Sequence, residues 1–174
     1  MNKPTIRAAT PADAATVHRF ICELAAYELE PDAVVCTVAD LAAQLAAAAP
    51  PFECLIAQSP DDGGVPEPVG FALFFHNYST WRGAPGLYLE DLFVPPDRRR
   101  QGIGLALLEA VAAIAVARGC HRFEWSVLDW NTPAIDFYGS LGAVPMTGWT
   151  TFRLAGEPLK RVAAGAAARA KAAD

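Results

Sequence analysis

The sequence predicts an α/β (α+β) fold, a mixed sheet with helices laid against it. Apolar patterns of strand length and of helix length follow one another through most of the chain. One apolar run, Leu87 to Val94, has strand length and is bracketed by the breakers Gly86 and Pro95-Pro96, which marks a buried central strand. Just beyond it, Gly104 to Arg118 is apolar nearly all round, as a helix lying on a sheet is.

Taken in order, Thr5 to Ala8 reads as a first strand, and Thr10-Pro11-Ala12-Asp13 sets a capping threonine before a proline at the first helical position. In the helix that follows, Val17, Phe20, Ile21, Leu24 and Tyr27 recur at helical spacing and face inward, leaving Asp13, Arg19 and Glu23 in water. Pro31 breaks that pattern, and Val38 to Ala49, mostly Ala and Leu, makes a second helix ended by Pro50-Pro51. Phe52 to Gln58 and Val69 to Tyr78 read as the two strands of a hairpin, with the Asp-, Gly- and Pro-rich Ser59 to Pro68 as its turn. A loop over 80–86 leads into the central strand. After the Gly104 to Arg118 helix, Gly119 supplies a cap and Arg122 to Leu128 the next strand. Thr132-Pro133 opens a short helix closed by Leu141-Gly142, and a last strand is expected near Trp149 to Leu154. The Ala-rich stretch from Ala163 to Asp174 reads as a frayed tail.

With 174 residues, 53% of them hydrophobic, the chain is long enough to bury one core, so a single domain is expected over 1–163. A net charge of -5 argues against nucleic acid, whose phosphates call for a clustered excess of Lys and Arg, and suits a cationic small molecule. The cysteines Cys22, Cys36, Cys54 and Cys120 form no C-x-x-C pair and no zinc spacing with His18, His76 and His121, so no metal is expected. Scattered thiols, no leader-like N-terminus and no apolar run of about 18 residues point to a cytoplasmic protein that uses no membrane.

Three arginines stand together in this acidic chain, in Asp97-Arg98-Arg99-Arg100-Gln101-Gly102-Ile103-Gly104, where the central strand gives way to a helix. Glycines there let backbone N–H groups approach an anion, and the helix N-terminus adds about half a positive charge. A pyrophosphate cradle is one reading; a basic loop with a tight turn is the other. Walker A is excluded because no Lys-Ser/Thr follows the second glycine, and a Rossmann fingerprint needs a tighter strand-to-glycine turn than Val94 to Gly102 provides.

The run Arg99-Arg100-Gln101-Gly102-Ile103-Gly104 resembles the Arg/Gln-x-x-Gly-x-Gly/Ala signature of the GNAT superfamily of acetyltransferases. Leu87-Tyr88-Leu89-Glu90-Asp91-Leu92-Phe93-Val94 before it and Asp129-Trp130-Asn131-Thr132-Pro133-Ala134-Ile135-Asp136-Phe137-Tyr138 after it resemble the spermidine/spermine (diamine, thialysine) N-acetyltransferase branch, as do Tyr27-Glu28, Gly148-Trp149 and Glu157-Pro158-Leu159-Lys160. The resemblance implies a central sheet splayed around acetyl-CoA and a homodimer. It implies that the backbone of Leu92, Phe93 and Val94 binds the pantetheine arm and that Arg99, Arg100, Gln101, Gly102, Ile103, Gly104 and Leu105 hold the pyrophosphate. Asn131, Thr132, Pro133 and Ala134 would line the cofactor's path, with Tyr138 at the acetyl sulfur. Tyr27, Glu28, Trp81, Glu90, Asp91, Glu124, Trp125, Ser126 and Trp149 would form the amine site.

Two carboxylates inside an apolar run are costly to bury without a charge or a task. In a regular strand only one of Glu90 and Asp91 faces a given cleft, and Glu90 is the expected base; a structural ion pair is the alternative for either acid. An amine of pKa near 10 costs about 4 kcal/mol to deprotonate at neutral pH, which a carboxylate base would offset. Tyr138 is the expected general acid, against an alternative of core packing, and direct attack in a ternary complex is expected because no cysteine falls in a motif. The acids Glu28, Glu30 and Asp32 form either an amine-binding cluster or a solvated face. Trp81, Trp130 and Trp149 either pack or hold an alkylammonium by cation–π attraction. Where the polyamine enzymes carry an acid two residues before the loop tryptophan, this chain has Ser79, and its loop gains Arg82 and an added Pro85. That departure brings a lysine-like amino acid, thialysine or a short diamine level with a polyamine as acceptor. The rival readings are a protein or peptide acetyltransferase, a non-catalytic acetyl-CoA scaffold and, more distantly, a nicotinamide-binding domain.

Overall fold

The computed structural model describes residues 3–60 and 64–171. Its contacts divide the chain into two compact units, Met1–Ser126 and Val127–Asp174. The first holds β1 (Thr5–Ala8), α1 (Ala14–Tyr27), α2 (Val38–Leu45), β2 (Glu53–Pro60), β3 (Pro66–Ser79), β4 (Ala84–Phe93), α3 (Ile103–Ala117) and β5 (Phe123–Trp125). The second holds α4 (Thr132–Ser140) and α5 (Gly156–Lys171).

The five strands form one sheet in the order β1-β2-β3-β4-β5, antiparallel except for the parallel β4–β5 pair, so the sheet is mixed as predicted. Strand alternation sorts its side chains onto two faces. Cys54, Ile56, Phe71, Leu73 and Phe93 meet Ala14, Val17, Phe20 and Leu41 of α1 and α2 on one face. Phe20 stacks on Phe71 with ring centroids 5.6 Å apart and leans on Phe93 at 6.1 Å, which pins α1 to the end of β4. The residues between them in sequence, Leu55, Ala57, Ala72, Phe74 and Leu89, are buried on the other face, where α3 brings Ile103, Leu107, Leu108, Val111 and Ala115.

Local signals explain the helix starts. Thr10 and Asp13 form a capping box around the 3-10 turn Pro11–Asp13 that leads into α1, and Thr37 and Asp40 form another at α2. Asp13, expected in water, is partly buried in a two-pronged ion pair with Arg7 at 2.7 and 2.8 Å that holds its carboxyl well below the usual range. Helix α2 stops at Leu45, short of the expected Ala49: Ala46 to Ala49 are exposed, and helix propensity without a packed face does not sustain a turn. The β2–β3 strands run further into the turn than expected, to Pro60 and from Pro66, and positions 61–63 lie outside the described residues.

The end of the chain departs furthest from the sequence reading. No strand forms over Trp149 to Leu154 among the described residues; those residues are exposed, and an extended segment becomes a strand only where another backbone pairs with it. The Ala-rich stretch, expected to fray, continues α5 to Lys171 in the described part, and its last three residues lie outside it. Among the described residues no helix is long and apolar enough to cross a membrane.

Candidate functional site

The two acids of the central strand do not alternate as a regular strand requires. Asp91 pairs with Leu73 and Leu89 with Phe74, so Glu90 is an extra residue in β4, a β-bulge. Leu89 and Leu92, opposite Phe74 and Ala72, keep to the α3 face, and Tyr88, Asp91 and Phe93, opposite Phe75, Leu73 and Phe71, keep to the α1 face. Glu90 and Asp91 together fill the single α1-face step that one residue would fill without the bulge. This corrects the expectation that only one of them faces a given cleft.

The Asp91 carboxyl is strongly shifted. Burial, with the Glu90 and Glu28 carboxylates adding to it, pushes its pKa up to about 7. Glu28, which caps the C-terminus of α1, is itself pushed up by burial, while Glu90 is exposed. Among the described residues none of these three acids makes an ion pair, so the structural-pair alternative finds no support at Glu90 or Asp91. Three coupled carboxylates without a protein cation are an environment that favours a bound ammonium. Two thiols feel the same field: burial pushes Cys54 up to about 12 with Asp91 contributing, and it raises Cys36 as well.

Tyr27, the last residue of α1, lies under the Arg99 guanidinium, 4.4 Å from ring centroid to Cζ. Beside it an open depression of about 620 Å³ is bordered by Arg19, Glu23, Tyr27, Glu67, Phe93 and Arg98.

Between β4 and α3 the chain makes a 3-10 turn at Pro96–Arg98 and then two left-handed residues, Arg100 at φ 60° and Gly102 at φ 78°. A non-glycine residue in that region costs about 1–3 kcal/mol and is typically kept at working sites. Gly102 precedes α3, whose first bond runs from Ala106 N–H to Gly102 O at 2.9 Å, so the N–H groups of Ile103, Gly104 and Leu105 have no acceptor within the helix. A Cβ at Gly104 would meet only Val94 at 3.9 Å, and one at Gly102 would meet nothing, so packing does not demand a glycine at either place. Open space, free N–H groups and a helix N-terminus fit the pyrophosphate of acetyl-CoA. Of the arginines, Arg98 pairs with Glu67 at 2.6 Å and Arg99 donates to Val94 O at 3.0 Å, whereas Arg100 is exposed with no ion pair among the described residues.

The bulge also ends the parallel pairing. β5 follows β4 only from Leu87 to Leu89, three residues against the expected run from Arg122 to Leu128, and the pairing stops where the bulge begins at Glu90. Leu92, Phe93 and Val94 therefore have no strand on their β5 side among the described residues, which leaves their backbone groups on that side open to a ligand.

Other predicted residues have different surroundings. Trp81 is exposed in the β3–β4 turn, and the six residue steps from Ala84 to Glu90 put it about 20 Å along the strand from the bulge, so one chain does not bring it to the carboxylates. Glu124 is committed to Arg122 at 2.9 Å and Asn77 at 3.0 Å rather than open to a ligand. Trp125 makes an edge contact with Phe123 at 5.0 Å, and Ser126 shares a 2.8 Å hydrogen bond with the Tyr88 hydroxyl. Ser79 is buried, and its Oγ accepts from Arg82 N–H at 3.3 Å, closing the turn.

In the second unit the Asn131 side chain caps α4 by accepting from Ala134 N–H at 3.4 Å, with Thr132 and Pro133 in the first turn. Tyr138 lies in the last turn with its ring 5.3 Å from Phe137, and burial raises its phenol above the usual value. Trp149 is 70% exposed. Sequence reasoning missed the pairing of both carboxylates on one face, the coupling of Glu28 to Asp91 and the Arg99–Tyr27 stack. An acid pair interrupting an apolar strand was the available signal for the bulge.

Residues 22–143 match the acetyltransferase (GNAT) family. The chain is 40% identical to the thialysine N-epsilon-acetyltransferase of Sus scrofa over 91% of this chain and 96% of that one. It is 34% identical to an L-ornithine N-acetyltransferase of Arabidopsis thaliana over 90% and 86%. Among solved structures, an integron cassette protein from the mobile metagenome of V. cholerae superposes with a TM-score of 0.74 at 25% identity, covering 94% of this chain and 99% of that one. The splayed mixed sheet, the glycine turn at the head of α3 and these relatives together show that the chain belongs to the GNAT acetyltransferase family and is an N-acetyltransferase acting on amines.

Proposed function

We propose that this enzyme transfers the acetyl group of acetyl-CoA to the side-chain amine of a lysine-like amino acid, with short diamines and polyamines as further acceptors, by direct attack in a ternary complex. The observation that carries this is the acid cluster of Glu90 and Asp91 at the β4 bulge, with Glu28 at the end of α1 coupled to Asp91 and none of the three in an ion pair among the described residues. Two relatives are named for thialysine and ornithine, amino acids that end in a primary amine. Ser79, where the polyamine enzymes carry an acid, gives a long polycation no carboxylate at that position.

Acetyl-CoA supplies an activated thioester; the protein must free the amine and receive the thiolate. Glu90, exposed at the bulge, draws the ammonium in, and Asp91 takes its proton, directly or through water. A carboxylate near 7 lies about 3 units below an amine near 10, a step of roughly 4 kcal/mol, against roughly 8 kcal/mol for an ordinary carboxylate near 4. Asp91 thus takes the base role that the sequence suggested for Glu90. The raised Cys36 and Cys54 thiols are poor nucleophiles, which supports direct attack over an acetyl-cysteine. Tyr138, kept protonated by burial, donates its O–H to the departing sulfur and stabilises the charge growing there.

This reading takes residues 1–163 as one acetyltransferase domain of a cytoplasmic homodimer. Exposed apolar side chains along the C-terminal segment, among them Val144, Met146, Phe152 and Leu159, support a second copy as their cover. The test is the initial rate of CoA thiol release with acetyl-CoA and a panel of thialysine, lysine, ornithine, diamines and spermidine, on wild type and Tyr138→Phe. Turnover of a lysine-like amine that falls at least tenfold in the variant is expected. Binding of acetyl-CoA with no amine turned over would overturn the proposal.

A further inference from the structure

Arg99 is the first residue of the glycine-turn motif, yet its guanidinium does not project from the turn as a free charge. Its Nε donates to the carbonyl of Val94, three residues beyond Asp91 in the chain, at 3.0 Å. Its Cζ lies over the Tyr27 ring, 4.4 Å from the centroid, and Tyr27 is followed directly by Glu28, the acid coupled to Asp91. One planar group therefore touches the end of β4, the phosphate turn and the acid-bearing end of α1. Neighbouring Arg100, exposed and without an ion pair among the described residues, is the arginine left for a phosphate.

We propose that Arg99 is a positioning residue that ties the acceptor end of α1 to the acetyl-CoA turn through its stack on Tyr27 and its bond to Val94, so that each substrate site is held in register by the other. This deepens the amine-acetyltransferase reading and rests on it for the acceptor half. Ordering the 95–102 turn around a phosphate fixes the guanidinium, and the guanidinium in turn fixes the ring that precedes Glu28. Coupling of this kind is reciprocal in binding free energy, so a defect at Tyr27 should appear in acetyl-CoA Kd and a defect at Arg99 in amine affinity, read as KM where chemistry is slower than amine release. Lysine in place of Arg99 keeps the charge and loses both the planar face and the fork.

The experiment measures acetyl-CoA Kd by calorimetry, and amine KM and kcat with the best acceptor of the panel. The proteins are wild type, Arg99→Lys, Arg99→Gln, Tyr27→Phe, Tyr27→Leu and the Arg99→Gln/Tyr27→Leu double variant, each first checked for an unchanged melting transition. Tyr27→Leu is expected to weaken acetyl-CoA binding, and Arg99→Lys and Arg99→Gln to raise amine KM, each about two- to thirty-fold, the range of a cation–π contact. Tyr27→Phe, which keeps the ring face, should lose less than Tyr27→Leu, and the double variant should be no worse than its worse parent. Additive losses, or an amine KM unmoved in both Arg99 variants, would show that Arg99 serves the phosphate alone and overturn the proposal. The Kd change in Tyr27→Leu is read without turnover. A wild type that binds acetyl-CoA but acetylates no amine therefore sinks the acceptor reading, while an unchanged Kd in Tyr27→Leu sinks the coupling.

Discussion

Replacing Asp91 with Asn should stabilise the protein, and by an amount that grows with pH. The Asp91 carboxyl keeps its proton up to about pH 7 in the folded chain, against an ordinary value of 3.8. Between those values the folded state binds a proton that the unfolded chain has already lost, so folding stability falls as pH rises through the window. Below about pH 4 both states are protonated and the penalty is absent; above about 7 it is fully developed. Linkage with these two values gives a cost of roughly 2 kcal/mol at pH 5 and roughly 4 kcal/mol at pH 8. Asn has nearly the same shape and no charge, so the variant escapes the penalty, and its advantage over wild type should widen by roughly 2–3 kcal/mol between pH 5 and pH 8. Urea denaturation of both proteins at the two pH values reads this directly, with equal m-values as the check that unfolding stays comparable. The same variant should lose the limb of the kcat/KM profile that rises near pH 7. An advantage that stays constant within about 0.5 kcal/mol across the range would refute the reasoning, because burial of Asp91 would then not be raising its pKa.

Gly104→Ala should separate stability from cofactor binding. A Cβ there meets only Val94 at 3.9 Å and the signature takes Gly or Ala at this position, so the helix should gain up to about 1 kcal/mol in a thermal melt while acetyl-CoA Kd in calorimetry holds. Acetyl-CoA binding weakened tenfold or more in that variant would show that the open space over Gly104 is filled by the cofactor and refute this expectation. Gly86→Ala should do the reverse: the new Cβ would press on Asn77 Oδ1 and stand 2.8 Å from Arg122 Cγ, so the melting temperature should drop by the equivalent of about 1–3 kcal/mol while acetyl-CoA Kd holds. An unchanged melt would mean that the Asn77, Arg122 and Glu124 cluster yields easily.

The sequence by itself determined much of this protein: the fold class, the order of elements through α4, the face that α1 buries and the glycine turn at the head of α3. These are local matters. A 3.6-residue period, a capping box at Thr37 and Asp40 or a proline pair after an apolar run acts within a few residues, and the chemistry that sets it is written in those residues. The motif around Gly102 was legible for the same reason, since a turn that exposes backbone N–H groups needs glycines at fixed spacing.

Tertiary structure decided what depends on partners far away in sequence. The bulge at Glu90 exists only in the register between β3 and β4, and it turns an alternating acid pair into two acids on one face and ends the pairing with β5. The pKa of Asp91 follows from burial and from Glu28, 63 positions earlier in the chain (91 − 28), which no local pattern brings to it. Trp149 to Leu154 has a strand's composition but forms no strand among the described residues, and Glu124, acidic and well placed on paper, is held by Arg122 and Asn77. Strand pairing, burial and electrostatic coupling are interactions between elements, so they enter only once the chain has closed on itself.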